Sequence, residues 1–174
     1  MLAATLLLLA FYYWGRPAFY FTSGVSGWVA DLAFRGPLEE FPGVGAYLWW
    51  GFTSMVLRVG LPLLVIVFLL KRRPGEFGFR IRGIARHLPV YGAMYLVMLP
   101  VLVWVSSFDN FVTYYPFYDR AIEGGAAFWL YELGYGLQFI GVEAFFRGFM
   151  VFGLLPRFGS LSVVVMTIPY TMIH

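Results

Sequence analysis

The chain has 174 residues, of which 61% are apolar, 21% aromatic and only 12% charged, with a net charge of +3. That composition excludes a soluble globular domain; the apolar residues come in long blocks with the charges gathered between them, so the chain reads as an all-α, polytopic transmembrane helical bundle, a single membrane-embedded domain over 1–174. The sequence holds no cysteine for a disulfide, thiolate metal site or nucleophile, and six of its twelve basic residues fall between Lys71 and Arg86, which speaks of membrane topology and not of a nucleic-acid partner.

Met1 to Trp14 is apolar, without a basic n-region, and bulky Phe11, Tyr12, Tyr13 and Trp14 stand where a signal-peptide cleavage site needs small residues. It reads as a retained first span, or one cut short at its start, that ends in interfacial aromatics running to Phe21. Gly24 to Gly45, with Asp31, Arg35, Pro37, Glu39, Glu40 and Pro42, reads as an exposed loop with one short surface helix, its carboxylates solvated. Tyr47 to Leu70 is the clearest transmembrane helix. Arg58 interrupts it near the middle, which calls for neighbouring helices, a headgroup reached by snorkelling or an acidic partner, in a structural role before a catalytic one.

The basic connection Lys71–Arg86 marks the cytoplasmic side, and the amino terminus is expected there too. Leu88 to Val105 returns the chain outward to Ser106–Glu123, where Tyr114, Tyr115 and Pro116 are expected at an interface as anchors. From Gly124 the chain is helical again to about Phe149. Glu132 and Glu143 share a face of this helix, eleven residues and about 16 Å apart, too far for a close acid pair. Gly134, Gly136, Gly141 and Gly148 favour close helix approach and a tightly enclosed pocket.

The chain is organised around Gly141-Val142-Glu143-Ala144-Phe145-Phe146-Arg147-Gly148, where Glu143 and Arg147 stand four apart and share one helix face. Ionisable groups at membrane depth are costly and normally face a bundle interior or wet cavity, so the pair is a functional candidate; a buried structural ion pair is the plainer alternative. Arg157 to Ser160 reads as a cytoplasmic turn before Leu161–Ile173. Those thirteen apolar residues are too few to cross a bilayer before His174, so the segment reads as an interrupted helix and the chain as the front part of a longer protein; a short re-entrant segment is the alternative.

These residues resemble the CAAX-protease and bacteriocin-processing family of glutamic-type intramembrane proteases. Val142-Glu143-Ala144-Phe145-Phe146-Arg147-Gly148 is similar to the family's EExxxR motif, and Tyr170-Thr171-Met172-Ile173-His174 to its second motif, an aromatic residue followed four later by His. Phe77-Gly78-Phe79-Arg80 after a basic turn, then a span, Tyr115-Pro116 and Tyr131-Glu132, resembles the layout of the family's bacterial branch. The sequence departs from the family at Val142, which aligns with the first Glu of the motif, and at its end, where the later His and Asn motif is absent.

The resemblance implies an intramembrane endopeptidase in the bacterial cytoplasmic membrane, acting on a membrane-anchored protein or peptide and in contact with membrane lipids. Peptide hydrolysis needs a positioned water, a base and stabilisation of the oxyanion. Glu143 is the expected base, oriented by Arg147 and desolvated by Phe145 and Phe146. His174 is expected to orient the water, donate to the oxyanion or bind a metal, with Glu132, Tyr170 and Phe146 as substrate-contacting or supporting residues. HExxH is absent, and one Glu and one His do not make a site of three ligands plus water, so Glu-activated water with no metal or other cofactor is the expectation. The competing readings are a catalytically inactive scaffold or immunity-type protein of the same fold, and a transporter with Glu132, Glu143, Arg147 and His174 lining a polar path.

Overall fold

A computed structural model describes residues 2–28, 40, 41, 43–80 and 83–172, and no strand occurs among them. The helices are α1 (Leu2–Gly15), α2 (Pro17–Thr22), α3 (Val44–Leu69), α4 (Ile84–Val105), α5 (Asp109–Tyr114), α6 (Gly125–Phe158) and α7 (Leu161–Met172). Three of them, α3, α4 and α6, are long and apolar enough to cross a membrane. At 26, 22 and 34 residues they run about 39, 33 and 51 Å, against a hydrocarbon core of about 30 Å. The chain is thus a helical membrane protein. Helix α1 covers only about 21 Å and ends where Arg16 turns extended (φ −83°, ψ 153°) ahead of Pro17, which then starts α2.

Small residues set the central contact. A Cβ on Gly51 would lie 2.5 Å from the Gly134 carbonyl oxygen, and one on Gly134 2.5 Å from that of Tyr47. A Cβ on Gly141 would strike Ser54 Oγ, which donates to the Gln138 carbonyl at 3.1 Å. These pairings advance together along both helices, so α3 and α6 run parallel. Lipid tails are as apolar as the side chains, so close backbone approach and dispersion, not water exclusion, hold such a pair. Gly136, grouped with the packing glycines in the sequence reading, meets nothing within 4 Å; it lies on the other side of α6.

Helix α1 runs antiparallel to α3. The Thr53 hydroxyl donates to the Gly15 carbonyl and the Trp49 indole to that of Trp14, both at 3.0 Å, while Ala4 joins Ile66 in one core cluster. The start of α1 and the ends of α3 and α6 therefore share one end of the bundle. The basic connection folds back there: Phe77, in the 3₁₀ turn Pro74–Phe77, stacks on Phe149 with centroids 6.3 Å apart. Helix α4 opens at Ile84 after Gly83 (φ +96°), so Arg86 belongs to its first turn, and none of its residues is buried.

The core has two parts. Ile66, Phe77, Val142, Phe145, Phe146, Phe149, Met150 and Met166 pack at the end shared with the basic connection; Val44, Tyr118, Ala121, Ala127 and Tyr131 pack at the other. Tyr114 and Tyr115 are exposed, at 68% and 40%. Helix α6 continues past Phe149, so Arg157 and Phe158, expected in a turn, are helical; Gly159 (φ +54°) ends the helix instead. Packing of Phe77 on Phe149 carries the helix through Gly148 and Gly153 despite their poor intrinsic propensity. Of the loop expected over Gly24–Gly45, Asp31, Arg35, Pro37, Glu39 and Pro42 lie outside the described residues; Glu40 is exposed and its carbonyl accepts from Arg120 Nη1 at 2.7 Å.

Candidate functional site

The organising motif sits where α6 changes from α- to π-helical hydrogen bonding, over Ala144–Met150. The core side of the turn is filled: Phe145 and Phe146 are fully buried and Val142 is 2% exposed. Glu143 and Arg147 point the other way, 37% and 67% exposed, with Arg147 Nε 2.7 Å from Glu143 Oε2. The four-residue spacing has delivered the pair it implied.

Helix α7 folds back along α6 after Gly159 and brings Tyr170 to the pair. Its hydroxyl donates to Glu143 Oε1 at 3.0 Å. The Tyr170 ring meets Phe146 edge to face at 5.5 Å, and the Arg147 guanidinium carbon lies 5.9 Å from its centroid. Phe146 thus acts on Glu143 through Tyr170, as a wall behind the ring, and not as a cover over the carboxylate. Each oxygen of Glu143 has one donor, and a carboxylate has about four acceptor positions, so room remains for a water on the open side.

Depth gives this arrangement its weight. Glu143 lies about 27 Å from the start of α6 and about 22 Å from its end, near the middle of the span. An exposed ion pair on a protein in water is worth little. Within a membrane-crossing helix the same exposure requires water or further protein against that face, because hydrocarbon does not solvate it. Glu143 and Arg147, 37% and 67% exposed, are not tightly enclosed among the described residues; Gly134 and Gly141 close the α3–α6 contact and Gly148 the dock for Phe77.

The other expected site residues divide. Glu132 is exposed in the amino-terminal half of α6, about 16 Å along the axis from Glu143, and joins no ion pair among the described residues. His174 lies outside the described residues. Among the described residues no three His, Asp or Glu side chains come together to hold a metal. For Arg58 the sequence called for neighbouring helices, a snorkelled headgroup or an acidic partner, and among the described residues it meets a neighbouring helix and joins no ion pair. It is 4% exposed on the π-turn Met55–Gly60, with its guanidinium carbon 3.5 Å from the Phe11 centroid. Its partner ring depends on how α1 folds back, and no local pattern encodes that. Compared with protein-family models, curated proteins and solved structures, the chain matches none.

Proposed function

We propose that the protein is an intramembrane endopeptidase that hydrolyses a peptide bond in a membrane-anchored protein or peptide, with Glu143 as the base. The observation that carries this reading is the Glu143 carboxylate held from both sides, by Arg147 and Tyr170, on an open face near the middle of α6. A glutamate fixed in this way can take a proton from a water at its free acceptor positions. The hydroxide adds to the scissile carbonyl; Glu143 returns the proton to the leaving amine, the C–N bond breaks, and a carboxylate and an amine result. Arg147 binds Glu143 through Nε, which leaves its Nη groups to face the developing oxyanion. The resemblance to the CAAX-protease and bacteriocin-processing family supports the same chemistry and adds His174 as the group one turn beyond Tyr170. The resemblance also supports a bacterial cytoplasmic membrane as the protein's location, and the basic residues of Lys71–Arg86 support an orientation with that connection and the amino terminus inside.

The test is a comparison of peptide termini in membranes from cells carrying the native protein and cells lacking it. New termini in a membrane-anchored protein, present only with the native protein, are expected. Identical sets of termini would remove the reading.

One observation favours a second reading, an inactive scaffold of the same fold. Val142, which aligns with the first glutamate of the family motif, is 2% exposed inside the core with Ile66, Phe145 and Phe146. That position is built for an apolar side chain. A phenotype that is indifferent to Glu143 and depends on Arg58 or on the connections would favour the scaffold.

A further inference from the structure

Arg58 carries a charge that nothing among the described residues answers. It is 4% exposed, its Nε and Nη1 are buried without a hydrogen-bond partner, and it belongs to none of the ion pairs among the described residues. Phe11 stacks on the flat face of the guanidinium, 3.5 Å from centroid to Cζ. Stacking uses that face only, whereas the N–H groups point outward in the plane, so the ring does not satisfy them.

The position along the bundle sharpens the point. Ser54 lies level with Gln138 and Gly141, through its bond to the Gln138 carbonyl and its contact at Gly141. Arg58 is about 6 Å beyond Ser54 on α3, and Glu143 about 3 Å beyond Gly141 on the parallel α6. The two residues therefore lie in one layer. Among the described residues that layer holds two guanidiniums and one carboxylate, and the carboxylate is already taken by Arg147 and Tyr170. An unmatched guanidinium at the middle of a bilayer is costly, and a planar fork of donors is matched best by a carboxylate or phosphate. Phosphates of bilayer lipids stay at the surface, about 15 Å away, so depth selects the carboxylate.

We propose that Arg58 is the receptor for a carboxylate carried by an apolar guest that enters the bundle beside α1 and displaces the Phe11 ring. The ring is held there by packing alone: it lies over Gly15, which has no side chain and where a Cβ would stand 2.5 Å from Phe11 Cδ2. The bonds that fasten α1, from Thr53 and Trp49, end at Gly15 and Trp14 and do not involve Phe11. This site stands on Arg58 alone and does not require Glu143 to be catalytic.

The experiment is thermal unfolding of the native protein and its Arg58→Met variant in a neutral detergent. Each is titrated with dodecanoate, dodecyl phosphate, dodecanol, and an apolar peptide with a free or an amidated carboxy terminus. The Glu143→Gln variant is measured with the same peptides, so that a binding result is not confused with cleavage. Without a probe, Arg58→Met should melt at the same temperature as the native protein or higher, because an unmatched buried charge has been removed. Dodecanoate, the free-acid peptide, or both should raise the melting temperature of the native protein and of Glu143→Gln by about 5 °C near saturation. Dodecanol and the amidated peptide should not, and Arg58→Met should respond to none. A shift with dodecanoate alone identifies a fatty carboxylate as the guest; a shift with the peptide alone identifies a peptide carboxylate. The proposal is overturned by any of four results: a lower melting temperature for Arg58→Met, no carboxylate-dependent shift, an equal shift in Arg58→Met, or a response to dodecyl phosphate alone.

Discussion

The Tyr170 hydroxyl reaches Glu143 Oε1 at 3.0 Å across a hairpin of two helices, from 27 residues further along the chain. The bond ties the α7 helix to the carboxylate and leaves the Tyr170 ring against Phe146. Tyr170→Phe removes the donor and keeps the ring. Hydrogen bonds to charged groups contribute about 1.5–3 kcal/mol. If the orientation of Glu143 depends on this bond, the variant should cleave about 10- to 100-fold more slowly. Steady-state kinetics in proteoliposomes check this, and an unchanged rate would show that the hydroxyl has no part in the chemistry.

Arg147 touches Glu143 through Nε at 2.7 Å and is 67% exposed. Where water covers that face its contribution to stability is small, about 0–1 kcal/mol after screening. Arg147→Lys keeps the charge but loses the planar donor set, so its melting temperature should move by only a few degrees while kcat falls by about tenfold or more. A fall in KM and kcat together with a large loss of stability would mark the pair as structural.

Gly51 and Gly134 bring the backbones of α3 and α6 together, and a Cβ on either meets a carbonyl oxygen at 2.5 Å. Backbone atoms in packed helices do not yield as a flexible side chain does. Gly51→Ala and Gly134→Ala should each destabilise the protein by about 1–3 kcal/mol. Gly136→Ala meets nothing within 4 Å and should be neutral, or stabilising by up to about 1 kcal/mol. Thermal unfolding in detergent reads all three, and equal behaviour of Gly134→Ala and Gly136→Ala would contradict the parallel α3–α6 contact.

The parts legible in the sequence were those set by local spacing. Composition and block length led to helices that cross a membrane, and four residues between Glu143 and Arg147 led to the pair. The resemblance to a family motif pointed to Tyr170 but not to its bond, since the approach of α7 depends on where Gly159 breaks the chain. Helix ends were misread where tertiary contact overrides propensity: Phe77 docked on Phe149 carries α6 to Phe158. Gly51 passed unnoticed in an apolar span, although its small neighbours Thr53 and Ser54 were a usable sign of close packing. Phe11 over Arg58 could not be read at all, because a cation and a ring 47 positions apart meet only once α1 lies antiparallel on α3.

The bundle also predicts which residues share a side of the membrane. The chain has no cysteine of its own, so single cysteines can be placed at will. Cysteines at Arg80 and Arg157 should react with an impermeant reagent from the same side, and one at Asp109 from the opposite side. With the basic connection inside the cell, Asp109 is the position labelled in intact cells. Labelling of Arg80 and Arg157 from opposite sides would contradict the parallel course of α3 and α6.

The central claim is that the carboxylate held by Arg147 and Tyr170 does chemistry. The most direct measurement is the cleavage rate of a membrane-anchored substrate by the native protein and by Glu143→Gln, reconstituted side by side and matched for melting temperature. Loss of a general base costs about 10²- to 10⁴-fold. The account predicts a loss of that size in Glu143→Gln with the fold intact. Cleavage at an undiminished rate by the variant would contradict it.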